Sequence, residues 1–293
     1  MPEVPDVPDA PDRSPPGTSA GGGVDSHVHL LPPRLAARVR AAFDAHLPGL
    51  LAYPTDPHVA LDDLAAVGIG QAWVLPYAHA PGVADWLVPA TAEHLAELSA
   101  ERGDVELVLA GTLHPDDQDP LGLLDRAVEV EGARALKLHC AVGSFAADDA
   151  RLEPVWQRCA QRQLPVVVHA GKHDSGQAVP ADLAELDRVA TRHPDLPLIV
   201  AHAGHPAVAA TLELLHRHPR VYADLTPVVT RVPTLRDEDL RRFADRLLFG
   251  SDTPNTGHRV GQLLSVLTAR DLPDEATAAI LGGTARRLLA AVT

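Results

Sequence analysis

Two histidines one residue apart, His27 and His29, close a short apolar run in the segment "GGGVDSHVHLLPPR" at 21–34. Side chains alternate across a β-strand. If 24–30 is extended, both imidazoles share a face, with Asp25 one layer lower. Two imidazoles at one strand end can share a metal ion. A partly buried strand can equally carry two polar residues satisfied by their neighbours, and His-x-His alone does not separate these readings.

The pattern recurs. Lys137 and His139 end the run "ARALKLH", His169 ends "PVVVH", His202 ends "PLIVAH", and Asp252 follows "RLLFG". His114 follows a further run. The chain carries 16 histidines, many of them just after apolar runs.

The elements that must position these residues can be read from periodicity. Eight β-rich runs stand out, at 24–29, 70–76, 105–112, 133–139, 165–169, 197–202, 220–224 and 246–250. Helical periodicity fills the stretches between and after them: 59–67, 91–102, 120–131, 151–162, 181–192, 206–217, 236–243, 260–268 and 274–291. Several strands are continuous apolar runs, the mark of strands covered on both faces, as in parallel sheets. Eight β/α alternations fit an α/β fold of the (β/α)8 TIM-barrel type, with one domain over 24–293. A doubly wound open sheet competes, but no G-x-G-x-x-G follows the first strand. The segment 32–58 is long for a βα loop, has a helical piece near 33–46, and is expected to form a lid-like insertion beside the barrel mouth. In such a barrel the strand ends form one rim, where catalytic groups sit. Histidines satisfied independently in a core would have no reason to favour that rim.

Composition sets the outer limits. The chain has 293 residues, 46% of them hydrophobic, enough for a large core. No apolar run is long enough to span a membrane. The net charge of −14 argues against nucleic acid as a partner. Residues 1–23, acidic and rich in proline and glycine, read as a disordered leader and not as a signal peptide. Two cysteines, Cys140 and Cys159, suggest no disulfide framework and fit a cytoplasmic setting. A small-molecule substrate is the expected partner, and a homo-oligomer is compatible with the composition.

The segments "DSHVH", "KLH", "LPVVVHAG", "IVAHAG" and "LLFGSDTP", in this order and at these intervals, resemble the amidohydrolase superfamily. More narrowly they resemble its amidohydrolase-related branch, which holds metal-dependent hydrolases and the aminocarboxymuconate-semialdehyde decarboxylase-like enzymes. The resemblance runs from about 24 to 290. It implies a metal bound by His27, His29, His169 and Asp252, with His202 a catalytic residue in one-metal members and a second-metal ligand in two-metal members. Imidazoles and a carboxylate suit Zn2+, with Mn2+ or Fe2+ as alternatives. Asp252 would bind the metal and take the proton of an attacking water, and His202 would polarise a carbonyl or protonate a leaving group.

Lys137 is ambiguous. In some two-metal members a strand-four lysine is carboxylated and bridges the ions, but "ALKLHC" resembles the branch where it need not be a ligand, so one metal is favoured. The bland reading is an ion pair with a barrel carboxylate such as Asp25. His139, Lys137 and Arg231 are candidate substrate contacts, and Arg231 and Lys172 would suit a carboxylate substrate. His114, His173, His205, Asp224, Asn255 and His258 read as ordinary loop residues, and Trp73, Trp86 and Trp156 as core or helix-packing residues. The leading expectation is metal-dependent hydrolysis of an amide, ester or lactone. The alternative is non-oxidative decarboxylation of a small carboxylic acid at the same site. A barrel that only binds is a third reading, weakened by the competent residue at every motif position.

Overall fold

The apolar runs form eight parallel strands that pair in chain order: β1 (Gly23–Val28), β2 (Ile69–Val74), β3 (Glu106–Thr112), β4 (Ala135–Leu138), β5 (Val166–Val168), β6 (Leu198–Val200), β7 (Val221–Asp224) and β8 (Leu247–Leu248). The computed structural model describes residues 22–170, 181–226 and 235–293. Parallel neighbours need crossover connections. These are built from α1 (Pro33–His46), α2 (Pro57–Ala66), α3 (Ala84–Glu101), α4 (Pro120–Glu129), α5 (Cys140–Gly143), α6 (Glu153–Gln161), α7 (Ala181–Arg192), α8 (Val208–Arg217) and α9 (Asp237–Arg242). After β8 come α10 (Val260–Thr268), α11 (Asp274–Ala278) and α12 (Thr284–Ala290). Backbone bonds from Ser26 to Phe249 (2.9 Å), Asp252 to His27 (2.8 Å) and His29 to Thr253 (2.7 Å) bring the end of the chain's last strand back to β1. The expected (β/α)8 barrel is therefore present.

Two apolar layers result. The larger one lies between strands and helices, and the smaller fills the barrel with Trp73, Val108, Val167, Ile199 and Leu248. Leu288 and Leu289 of α12 belong to that inner cluster and close it from one end. With the interior filled by side chains, only the opposite rim is left for chemistry.

Several boundaries differ from expectation for identifiable reasons. The helix expected at 91–102 begins at Ala84, because Pro89 is tolerated inside α3. The helix expected at 274–291 is broken between α11 and α12 by a widened turn at Ala279–Gly283. α5 forms directly after β4, with His139 at its N-terminal cap. The lid helix is found at the expected place. Pro33 pre-sets its first turn, and it packs no residue fully into the core. Among the described residues no helix is long and apolar enough to cross a membrane.

Candidate metal centre and active site

His27 and His29 are delivered by β1, but not by simple alternation. Asp25 pairs with Ala72 and Val28 with Val74, so β1 gains one residue on β2 between these points. The expected stack of Asp25 beneath the histidines is therefore not formed as drawn. The Asp25 carboxylate turns onto the backbone N–H of His27 (3.1 Å) and Ser251 (3.0 Å). Burial pushes its pKa up to about 7. It makes no ion pair with Lys137.

Both imidazoles are held by their Nδ1 atoms. His27 Nδ1–H donates to Asp224 Oδ2 at 2.8 Å, and His29 Nδ1–H donates to the Leu75 carbonyl at 2.7 Å. Their Nε2 atoms are left as acceptors facing Asp252, whose Oδ1 lies 3.7 Å from His27 Nε2 and 3.1 Å from His29 Nε2. A tetrahedral zinc ion with bonds of about 2.0–2.1 Å sets its ligand atoms roughly 3.3 Å apart. The two distances to Asp252 bracket that value, and the three ligand atoms all lie within 4.8 Å of one another, close enough for a shared ion. The second ring nitrogen of each histidine is fixed by a carboxylate or carbonyl, the usual support of a metal-ligating imidazole.

The strand-five and strand-six histidines form a relay. His202 Nδ1–H donates to the Thr226 carbonyl (2.9 Å), which makes its Nε2 an acceptor for His169 Nδ1–H at 3.1 Å. The Nε2 of His169 is then a lone pair, buried and without a partner among the described residues. His139 stacks on the His169 ring with centroids 3.8 Å apart. His169 does not join His27, His29 and Asp252 in the compact ligand group, whereas His202 forms a second one with His27 and Asp224.

Electrostatics keep the ligands in binding form. Burial and the nearby Lys137 lower the His27 pKa to about 3. Burial and the surrounding histidines push His169 well below its ordinary value. Burial would raise the Asp252 carboxyl, but His29 and His27 hold it below the usual range. Neutral imidazoles beside an ionised carboxylate are what a divalent ion needs. Lys137 Nζ donates to His27 Nε2 at 3.2 Å, at full burial. Burial lowers its pKa to about 8, against the attraction of Asp224 and Asp252. The carboxylates that act on it through space are thus these two and not Asp25, and among the described residues its direct contact is His27.

Backbone geometry marks the same places. His202 (φ 57°) and Asp252 (φ 64°) are left-handed although neither is glycine, a conformation that costs about 1 kcal/mol or more. Glycine would relieve that strain, so the side chains are what these positions retain. Gly250 has the reverse logic. A methyl group there would collide with Thr226 Oγ1 and lie 2.9 Å from His27 Cβ.

Asp224, which reads from the sequence as an ordinary loop residue, belongs to the site, and so do Tyr77 and Arg40, which no motif marks. Asp224 is fully buried. It orients His27 with Oδ2 and accepts the His202 N–H with Oδ1 at 2.8 Å. Its only signal was its place at the end of an apolar run. Tyr77, beyond β2, puts its ring 5.6 Å from His29 and 5.0 Å from His139. Arg40 of α1 lines a narrow cleft that reaches His29 and Asn255. Its guanidinium is held by Asp44 (2.7 Å) and the Tyr53 carbonyl (2.6 Å). His114 is used structurally, bonding the Gly143 carbonyl at 2.9 Å. Trp73 and Trp156 are buried as expected, but Trp86 is 49% exposed. Arg231, Lys172 and His173 lie outside the described residues.

The amidohydrolase family profile matches residues 24–290. No curated protein matches the chain. Among solved structures, an uncharacterized TIM-barrel protein from Bordetella bronchiseptica is 21% identical with a TM-score of 0.71, over 92% of this chain and 98% of that one. A dihydroxybenzoic acid decarboxylase from Polaromonas, with bound manganese and an inhibitor, is 15% identical with a TM-score of 0.65, over 92% and 97%. A candidate 2-pyrone-4,6-dicarboxylic acid hydrolase from Pseudomonas putida is 20% identical with a TM-score of 0.58, over 93% and 99%. These structures share the fold. The profile match over most of the chain establishes that the protein belongs to the amidohydrolase family.

Proposed function

We propose that the protein is a metal-dependent hydrolase of an amide, ester or lactone bond in a small molecule. It would hold one divalent transition metal, zinc first, through His27, His29, Asp252 and His169. The observation that supports this reading is that the Nδ1 atoms of His27, His29 and His169 are engaged by Asp224, the Leu75 carbonyl and His202, which turns each Nε2 inward as a lone pair, that of His27 met by Lys137 Nζ. That of His169 is buried without a partner among the described residues, a costly arrangement for a group with nothing to bind. When bound, such an ion supplies Lewis-acid chemistry and makes a nucleophile accessible at neutral pH.

The chain's own residues would do the rest. Asp252, held ionised, accepts the proton of the attacking water. His202 is oriented through Thr226 and Asp224; its Nε2, unprotonated in this network, would take up that proton from Asp252 and, as an imidazolium, polarise the reacting carbonyl or pass the proton to the leaving group. Lys137 and His139 line the same face and orient the substrate, with Arg40 a further cation for a carboxylate. Arg231 retains the role of substrate contact expected from the sequence. The two cysteines form no disulfide, which supports a cytoplasmic setting.

Decarboxylation at the same site is the second reading. It is favoured by the cations Lys137 and Arg40 near the ligands and by the decarboxylase among the structures of the same fold. Incubation with panels of lactones, esters, amides and hydroxybenzoates separates the two. Ring-opened or cleaved products without CO2 support hydrolysis, and CO2 release from a carboxylic acid supports the second reading. Turnover of neither panel by metal-replete protein would contradict both.

A further inference from the structure

A single helical turn joins the histidines that follow β3 and β4. α5 has four residues, Cys140–Gly143, and so short a turn leaves most of its end groups to be met from outside. Both ends are met by an imidazole. At the start, the Val142 N–H donates to His139 Nδ1 at 3.3 Å. At the end, His114 Nε2 lies 2.9 Å from the Gly143 carbonyl. Gly143 is fitted to this contact, since a methyl group there would lie 3.3 Å from His114 Cδ2 and collide with the Phe145 ring. Ser144 then stops the turn in the left-handed region (φ 57°).

The His114 ring is itself held. It is buried, and the Asp116 N–H donates to its Nδ1 at 3.1 Å, so its Nε2 carries the hydrogen that the Gly143 carbonyl accepts. The His114 backbone N–H donates to Asp117 Oδ2 at 2.7 Å, and Asp117 Oδ1 accepts the Gly82 N–H at 2.6 Å. From this fixed point a path runs inward. His114 sets the end of α5, and α5 sets the His139 ring at its start. His139 lies flat on His169, with centroids 3.8 Å apart and 13° between planes. His169 is thus held at its edge by His202 and over its face by His139. Those two contacts set the direction of the His169 Nε2 lone pair.

We propose that His114 is a positioning residue for the metal centre: it fixes α5 so that His139 holds the His169 ring with Nε2 toward the ion. This inference rests on the metal-dependent reading of the rim and concerns how one ligand is aimed. Because His114 acts through the hydrogen on Nε2, it makes a specific demand on any replacement. The amide nitrogen of glutamine reaches about as far as Nε2 and can donate to Gly143. The shorter asparagine reaches only about as far as Nδ1, where it can accept from Asp116 but cannot meet Gly143.

The test is the zinc affinity of the full-length protein, measured by competition with a chromophoric chelator, with melting temperature recorded beside it. In His114→Asn the affinity should fall about tenfold, the lower end of what a group supporting a metal ligand contributes. His114→Gln should return it to that of the parent. Equal losses in the two variants overturn the assignment, and so does a folded His114→Asn protein with undiminished affinity. The parent protein supplies a check that needs no variant. Nitrogen-15 NMR of its histidine rings should show the hydrogen on Nε2 in His114 and His139 and on Nδ1 in His169. A hydrogen on Nδ1 of His114 or of His139 overturns the assignment as well. A parent that binds no zinc contradicts the metal reading, and this inference falls with it; a zinc-binding parent that fails the variant or the NMR test overturns this inference alone.

Discussion

The two halves of the rim orient their histidines differently. On the β1–β8 side, His27 and His29 are fixed through Nδ1 by Asp224 and the Leu75 carbonyl, and their Nε2 atoms converge on Asp252, that of His27 also meeting Lys137 Nζ. On the β4–β6 side, His139, His169 and His202 are arranged chiefly against one another. His139 stacks on His169, which donates to His202. The first half is a pre-set pair of ligands and a carboxylate. The second is a relay that ends at the Thr226 carbonyl and leaves a bare nitrogen on His169. A ligand set must be rigid before the ion arrives, whereas a group that handles protons must remain coupled to its neighbours.

Asp252→Ala removes the carboxylate shared by both histidines and should lower turnover by roughly 10³-fold or more, with metal content reduced, as measured by steady-state kinetics beside elemental analysis. His202→Ala should lose about 10²–10⁴ in turnover while retaining the wild-type metal content. Parallel loss of metal would make His202 a ligand, favour two metals, and reopen Lys137 as a carboxylated bridge. Asp224→Asn keeps the shape but swaps the acceptor of His27 Nδ1–H for a neutral amide. Metal affinity in a competition titration should drop about 10–100-fold; unchanged affinity would show that His27 needs no such support. Deleting residues 1–20 should change neither melting temperature nor turnover, because that segment has too few large apolar residues to pack. A marked fall in melting temperature would refute that expectation.

Legibility in the sequence followed the strength of the local signal. Runs such as "PVVVH" and "PLIVAH" announce strands buried on both sides. The rim histidines follow because a barrel gathers strand ends. Asp224 was passed over because one acidic residue after "RVYA" looks like any loop start, and only the closed barrel sets it against His27. The extra residue in β1 leaves no trace in composition, so the sequence offers Asp25 as one possible partner of Lys137, although its carboxylate turns back onto Ser251. Tyr77 matters through His29 and His139, which are far apart in sequence, and Pro89 hid the first turns of α3. The histidine tautomers are a property of the assembled hydrogen-bond network, and no spacing could have shown them.

The central claim is that His27 and His29 present two prepared lone pairs to one ion. Elemental analysis of the purified protein beside a His27→Ala, His29→Ala double variant tests it most directly, with far-ultraviolet circular dichroism confirming that the barrel is folded. About one zinc, manganese or iron per chain in the parent and none in the folded variant is the result this account predicts. Undiminished metal in the folded double variant would contradict it and place the ion elsewhere.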